Sequence, residues 1–182
     1  MAAALTDVEL KQLIDGFTAY VERQRNHYFP LAVPLDPQQK EPLEPFFSRT
    51  LFDRVRIVEL QQERLAGPPE SVRSILGRGM EVPEIAHMAS FTMVDVMIFQ
   101  ETVTPRRLFH ALVHAAQFAL LGTRPYLELY IRAFAKAGRY LAVPLEVQAF
   151  RMDARFTESP AEVFSVADEV LLWAERGLYR QA

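Results

Sequence analysis

The sequence predicts a single α+β domain, in which a small sheet packs on a central helix and further helices follow toward the C-terminus. Three observations carry this expectation. The chain has 182 residues, half of them apolar, which is enough for one substantial core and gives no reason for two. Two runs, Arg54–Leu60 and Met88–Phe99, are rich in β-branched and large apolar residues and read as strands. Most of the remainder repeats its apolar residues at helical spacing, with capping signals at the breaks.

Residues 1–29 hold the first helix: Thr6 and Glu9 fit a capping box, and Leu10, Leu13, Ile14, Phe17, Tyr20 and Val21 share one face. It is expected to end near His27. Residues 30–45 contain Pro30, Pro34, Pro37, Pro42 and Pro45, each removing a donor and fixing φ, so an extended and irregular surface connector is expected. The core then occupies residues 46–182. After the strand at 54–60, Gly67-Pro68-Pro69 breaks the chain and a short helix starts near Ser71. Met88–Phe99 reads as one well-covered strand, with Met88, Met93 and Met97 filling the core. Thr104 and Pro105 supply a cap and a proline at the first position of the next helix, which Gly122 ends. Further helices are expected over Pro125–Lys136, stopping near Gly138, and from Pro144 through Asp153. Ser159-Pro160-Ala161-Glu162 reads as the cap of a last helix running to Arg176, in which Trp173 closes the core.

Formal net charge is −3, with 20 basic and 23 acidic residues mixed along the chain. This offers no basic stripe for nucleic acid and no polybasic membrane anchor. Cysteine is absent, which excludes disulfides, thiol catalysis and cysteine-rich zinc sites and leaves His, Asp and Glu as the strong metal ligands. The N-terminal residues lack a charged segment followed by an apolar one, and no run approaches a membrane span, so a soluble cytoplasmic protein is expected.

The most informative motif is His110-Ala111-Leu112-Val113-His114, within the helix opened by Thr104. Histidines four apart on a helix lie on one face and can converge on one metal ion, while the residue after the first flanks that ion. A zinc peptidase carries glutamate there. Leu108, Leu112, Ala115, Ala116 and Ala119 form the packing side of this helix. Zinc needs more protein ligands than two histidines, and Glu146, near the start of a later helix and set among apolar residues, is the candidate third. The alternatives for Glu146 are an ion pair with Arg124, Arg132 or Arg139, or exposure at a helix N-terminus. Asp153 follows Glu146 by seven residues and shares its face, as a partner orienting a ligand histidine or as a salt bridge to Arg151 or Arg155. Tyr126, Tyr130 and Tyr140 are assigned to packing, and His27 and His87 to no site.

Leu108–Gln117 resembles the active-site helix of small bacterial zincin-like proteins that read His-Glu-Leu-Val-His-Val-Val-Gln, and Pro144–Phe150 is similar to their downstream glutamate helix. The likeness covers roughly residues 88–156 and points to the gluzincin arrangement. It implies a zincin-like domain with a sheet edge over the active-site helix, Zn²⁺ or another divalent transition metal as cofactor, and a cleft for a peptide or protein. His110 and His114 match the histidine ligands, Glu146 the glutamate ligand, and Ala111 the general base. That glutamate takes a proton from the attacking water and passes it to the leaving amine, work commonly worth about a hundred- to ten-thousandfold in rate. Alanine can do neither, so the resemblance implies a pseudo-metallopeptidase. An active zinc peptidase follows instead if the alanine replaced a native glutamate, and a metal-free structural or interaction protein follows if the two histidines find other partners.

Overall fold

The computed structural model of the chain describes residues 5–61, 63–76, 84–159 and 161–177, which fold as one α+β unit. The first helix, α1 (Asp7–Tyr28), begins at the expected box: the Thr6 hydroxyl accepts from the Glu9 amide while the Glu9 carboxylate accepts from the Thr6 amide. Its buried face carries Leu13, Ile14, Phe17, Tyr20 and Val21.

The proline-rich stretch departs from the expected irregular connector. It holds a 3₁₀ turn at Phe29–Leu31, an antiparallel bridge from Val33 to Ile57, and the one-turn α2 (Pro37–Lys40) with an Asp36–Gln39 capping box. Pro37 occupies the first helical position, where a missing N–H costs nothing. Leu35 and Leu43 are buried and anchor the segment to the core, while most of its other residues are exposed, as expected of a surface connector.

A short helix, α3 (Arg49–Arg54), leads into β1 (Arg56–Glu59), and α4 (Glu70–Leu76) follows the Gly67-Pro68-Pro69 break. The expected single strand at 88–99 is a hairpin, β2 (Ser90–Met93) and β3 (Val96–Phe99), joined by Val94 and Asp95. Val94 sits at φ 62°, a left-handed conformation that costs a β-branched residue about 1–2 kcal/mol. The turn is held from outside. Arg25 grips both carboxylate oxygens of Asp95 at 2.7 Å, and the Asp95 carbonyl accepts from the Arg56 amide.

The sheet order is β1-β3-β2, with β1 parallel and β2 antiparallel to the central β3. All four residues of β3 are buried, and their alternation divides the core. Val96 and Ile98 join a cluster with residues of α1 and α4, and Met97 and Phe99 join one with residues of α3.

The remaining helices are α5 (Pro105–Leu121), α6 (Thr123–Ala137), α7 (Pro144–Glu158) and α8 (Val166–Glu175). The Thr104 hydroxyl caps α5, and Gly122 ends it at φ 86°; Gly138 ends α6 in the left-handed region. Helix α5 contributes Leu108, Phe109, Leu112 and Val113 to the Met97 side of the core, whereas Phe118 belongs to the Val96 side, beside α6. Ala119, read as packing, is exposed. Helix α8 starts later than expected, with Ser165 as its cap rather than Ser159, and Pro160 lies outside the described residues. Its anchors are Val166 and Val170, while Trp173 is half-buried against the core. No helix among the described residues is long and apolar enough to cross a membrane.

Candidate metal centre

His110 and His114 occupy successive turns of α5, and Glu146 lies in the first turn of α7, which packs along α5. His114 and Glu146 are buried and His110 is half-buried. Their side chains meet: His110 Nε2 and His114 Nε2 are 3.1 Å apart, and Glu146 Oε2 lies 3.6 Å from the first and 3.4 Å from the second. The point equidistant from three such atoms is about 2.0 Å from each, the length of a Zn–N or Zn–O bond. Among the described residues these three form the group able to hold a metal ion. The ion-pair partners of Glu146 are the two histidines rather than an arginine, and Arg124 pairs with Asp15 and Arg132 with Glu128.

The neighbours of the triangle fix which ring nitrogens face inward. Asp153 Oδ2 lies 2.9 Å from His110 Nδ1, and a carboxylate can only accept, so Nδ1 carries the proton and Nε2 presents a lone pair. The second Asp153 oxygen accepts from Arg106 at 3.0 Å, and no bond to Arg151 or Arg155 is recorded. For His114 the same part falls to Gln117, which is fully buried. Its Nε2 donates to the Leu145 carbonyl and to Gln148 Oε1, so its Oε1 accepts from His114 Nδ1 at 2.9 Å. With both imidazoles neutral, the inward nitrogens are lone-pair donors facing a carboxylate, the donor set of a cation site.

Two tyrosines assigned from sequence to packing belong to this network. Tyr130 donates to Glu146 Oε1 at 2.9 Å, which leaves Oε2 for the centre, and the Tyr126 hydroxyl lies 3.2 Å from His114 Nδ1. Burial, reinforced by the Glu146 charge, pushes both phenols well above their ordinary pKa, so Tyr130 remains a donor at neutral pH. Gln117, Gln148 and Arg106 were also missed. Only Gln117 carried a signal, its spacing of three from His114 on one helix. His87 pairs with Glu84, and both side chains are exposed.

Replacing Asp153 with asparagine removes the charge behind His110 while keeping a similar shape. Zinc affinity is expected to fall ten- to a hundredfold with saturating stoichiometry unchanged, read by competition with a chromogenic chelator.

Burial alone would depress the His110 pKa, but the bonds and charges of Asp153 and Glu146 overcome it and push it up to about 9. Burial likewise opposes ionisation of Glu146, yet the electrostatic pull of His114 and the hydrogen bonds of both histidines hold it well below the usual carboxylate range. Without a metal, a proton on His110 takes the cation's place. An unfolded histidine titrates near 6.5, so the stability this proton confers is complete below that pH and is lost as pH rises through about 9. Metal binding expels the proton and is favoured by the same rise. The denaturant midpoint of metal-free protein is therefore expected to fall between these pH values, and that of zinc-saturated protein to hold.

Ala111 is 1 % exposed and its carbonyl accepts from the Thr92 hydroxyl of β2 at 3.1 Å. The carboxylates that flank the motif in sequence, and could stand in for the absent glutamate, are engaged in ion pairs: Asp95 with Arg25, Glu101 with Arg107, Glu128 with Arg132, and Asp153 with His110 and Arg106. The three candidate ligands line a cavity of about 750 Å³ that also touches β2, α1 and α6.

Comparison of the chain with family models, with curated proteins and with solved structures finds no match in any of the three.

Proposed function

We propose that this chain binds one divalent transition-metal ion, zinc first, through His110 Nε2, His114 Nε2 and Glu146 Oε2, in a zincin-like site that has lost its general base. The observation that carries the reading is the triangle of donor atoms with sides of 3.1, 3.4 and 3.6 Å, whose histidines are turned lone pair inward by Asp153 and Gln117. Three protein ligands leave a fourth position of a tetrahedral zinc open, as in catalytic rather than structural sites. A zinc ion there would act as a Lewis acid toward a carbonyl or carboxylate in the cavity. Two neutral imidazoles and one carboxylate leave the centre with a net charge of about +1, so an anionic group is favoured at the open position. With alanine at position 111 and the nearby carboxylates in ion pairs, nothing supports efficient proton transfer, so the site holds its ligand without cutting it.

The test is metal content. Untagged protein stripped with a chelator and dialysed against zinc is expected to retain one equivalent; less than about a tenth of an equivalent of zinc, nickel or iron overturns the reading.

A further inference from the structure

Building on the metal reading above, we infer that the cavity takes a small amphiphile: a straight alkyl or acyl chain in its inner chamber, with an anionic metal-coordinating head at the ligand triangle. The chamber is walled by Phe17 and Val21 of α1, Leu76 of α4, and Leu127, Ile131 and Phe134 of α6. Each is at most 8 % exposed and none carries a polar side-chain atom, so this wall is continuous with the core. The backbone groups behind it are largely spent in the hydrogen bonds of their own helices. An apolar chain entering here leaves nothing unpaired. Along this apolar wall a peptide would find no partners for its N–H and C=O groups, and the backbone that could pair with one lies elsewhere in the lining, on the outer side of β2 and in the stretch at 84–89.

Polarity gathers at the other end of the cavity. His110, His114, Glu146 and Tyr130 line it together with Arg106 and Arg107 from the first turn of α5. Of the acids that also line it, Asp153 is paired with Arg106 and Glu84 lies beside His87, while Arg107 is paired with Glu101. With a metal in the triangle the centre itself carries a net charge of about +1, and the partner it selects carries a carboxylate, hydroxamate or similar head. A volume of about 750 Å³ lies within the range of small-molecule sites, which are mostly apolar with a few placed polar groups.

The zinc-loaded chain is titrated calorimetrically with straight-chain alkyl hydroxamates of roughly two to ten carbons, and zinc content is measured on the same samples. Affinity is expected to tighten about fourfold per methylene until the chamber is full. Ile131→Trp, which fills the chamber, is expected to flatten the series with zinc content unchanged. A flat series in the unaltered protein at one equivalent of zinc overturns the inference and leaves the metal reading standing. So does tighter binding of a short peptide hydroxamate than of the octyl compound. Absence of zinc overturns both, and the zinc measurement identifies that case directly. Should Ile131→Trp fail to fold, the series in the unaltered chain decides alone.

Discussion

His110→Ala leaves the purified protein with less than about a tenth of an equivalent of zinc, where the unaltered chain takes one. The histidine supplies one of three donors, and the two that remain, His114 Nε2 and Glu146 Oε2 at 3.4 Å, are a pair no richer than many surface clusters. The loss also reaches the fold. Asp153 is 2 % exposed and would keep only Arg106, so the metal-free variant should be less stable than the metal-free parent by about 1–3 kcal/mol. Elemental analysis and a denaturant titration on the same preparation measure the two effects. Stoichiometric zinc in this variant would remove His110 from the ligand set and with it the site as described.

Ala111→Glu is expected to keep one equivalent of zinc and to raise hydrolysis of an N-acylated amide by a hundredfold or more over the parent. On the proposed zincin-like reading it restores a proton acceptor at the general-base position, and that contribution is commonly about a hundred- to ten-thousandfold. The gain comes at a cost in stability. Ala111 is buried where α5 lies on β2, and a longer, charged side chain there must push the strand aside or desolvate its carboxylate, a penalty of about 2–4 kcal/mol. A folded, zinc-replete variant no faster than the parent would show that this cleft lacks more than a base. The accompanying fall in unfolding midpoint, read by circular dichroism, checks the packing half of the argument.

What could be read from the sequence was what local chemistry determines. Thr6 with Glu9, Thr104 with Pro105, and the glycines at 122 and 138 set helix ends by hydrogen bonds and backbone freedom within one turn, and the structure keeps each of them. The meeting of His110, His114 and Glu146 was legible because the first two share a helical face and the third is an acid amid apolar residues. The hairpin at Val94-Asp95 was not, since no glycine or asparagine announces it; a distant arginine stabilises the turn instead. Ser159 and Glu162 mimic a helix cap, yet the helix waits for Ser165, after Phe164 has entered the aromatic cluster with Phe46 and Phe109. Tyr126 and Tyr130 lie on the apolar face of an amphipathic helix, where a hydroxyl's destination depends on a partner helix the sequence does not place. The proline-rich segment was misread as irregular for the opposite reason. Counting prolines measures lost donors, but Leu35 and Leu43 between them determine where the segment goes.

The buried amide of Gln117 bonds at once to His114 on its own helix and to Leu145 and Gln148 beside Glu146 on α7. The spacing between two donors is thereby set by a bridge containing no ion, which makes the pocket preorganised. Capture then requires little loss of chain entropy, so most of the coordination energy survives as affinity. Uptake should keep pace with water exchange on the incoming ion rather than wait for a folding event.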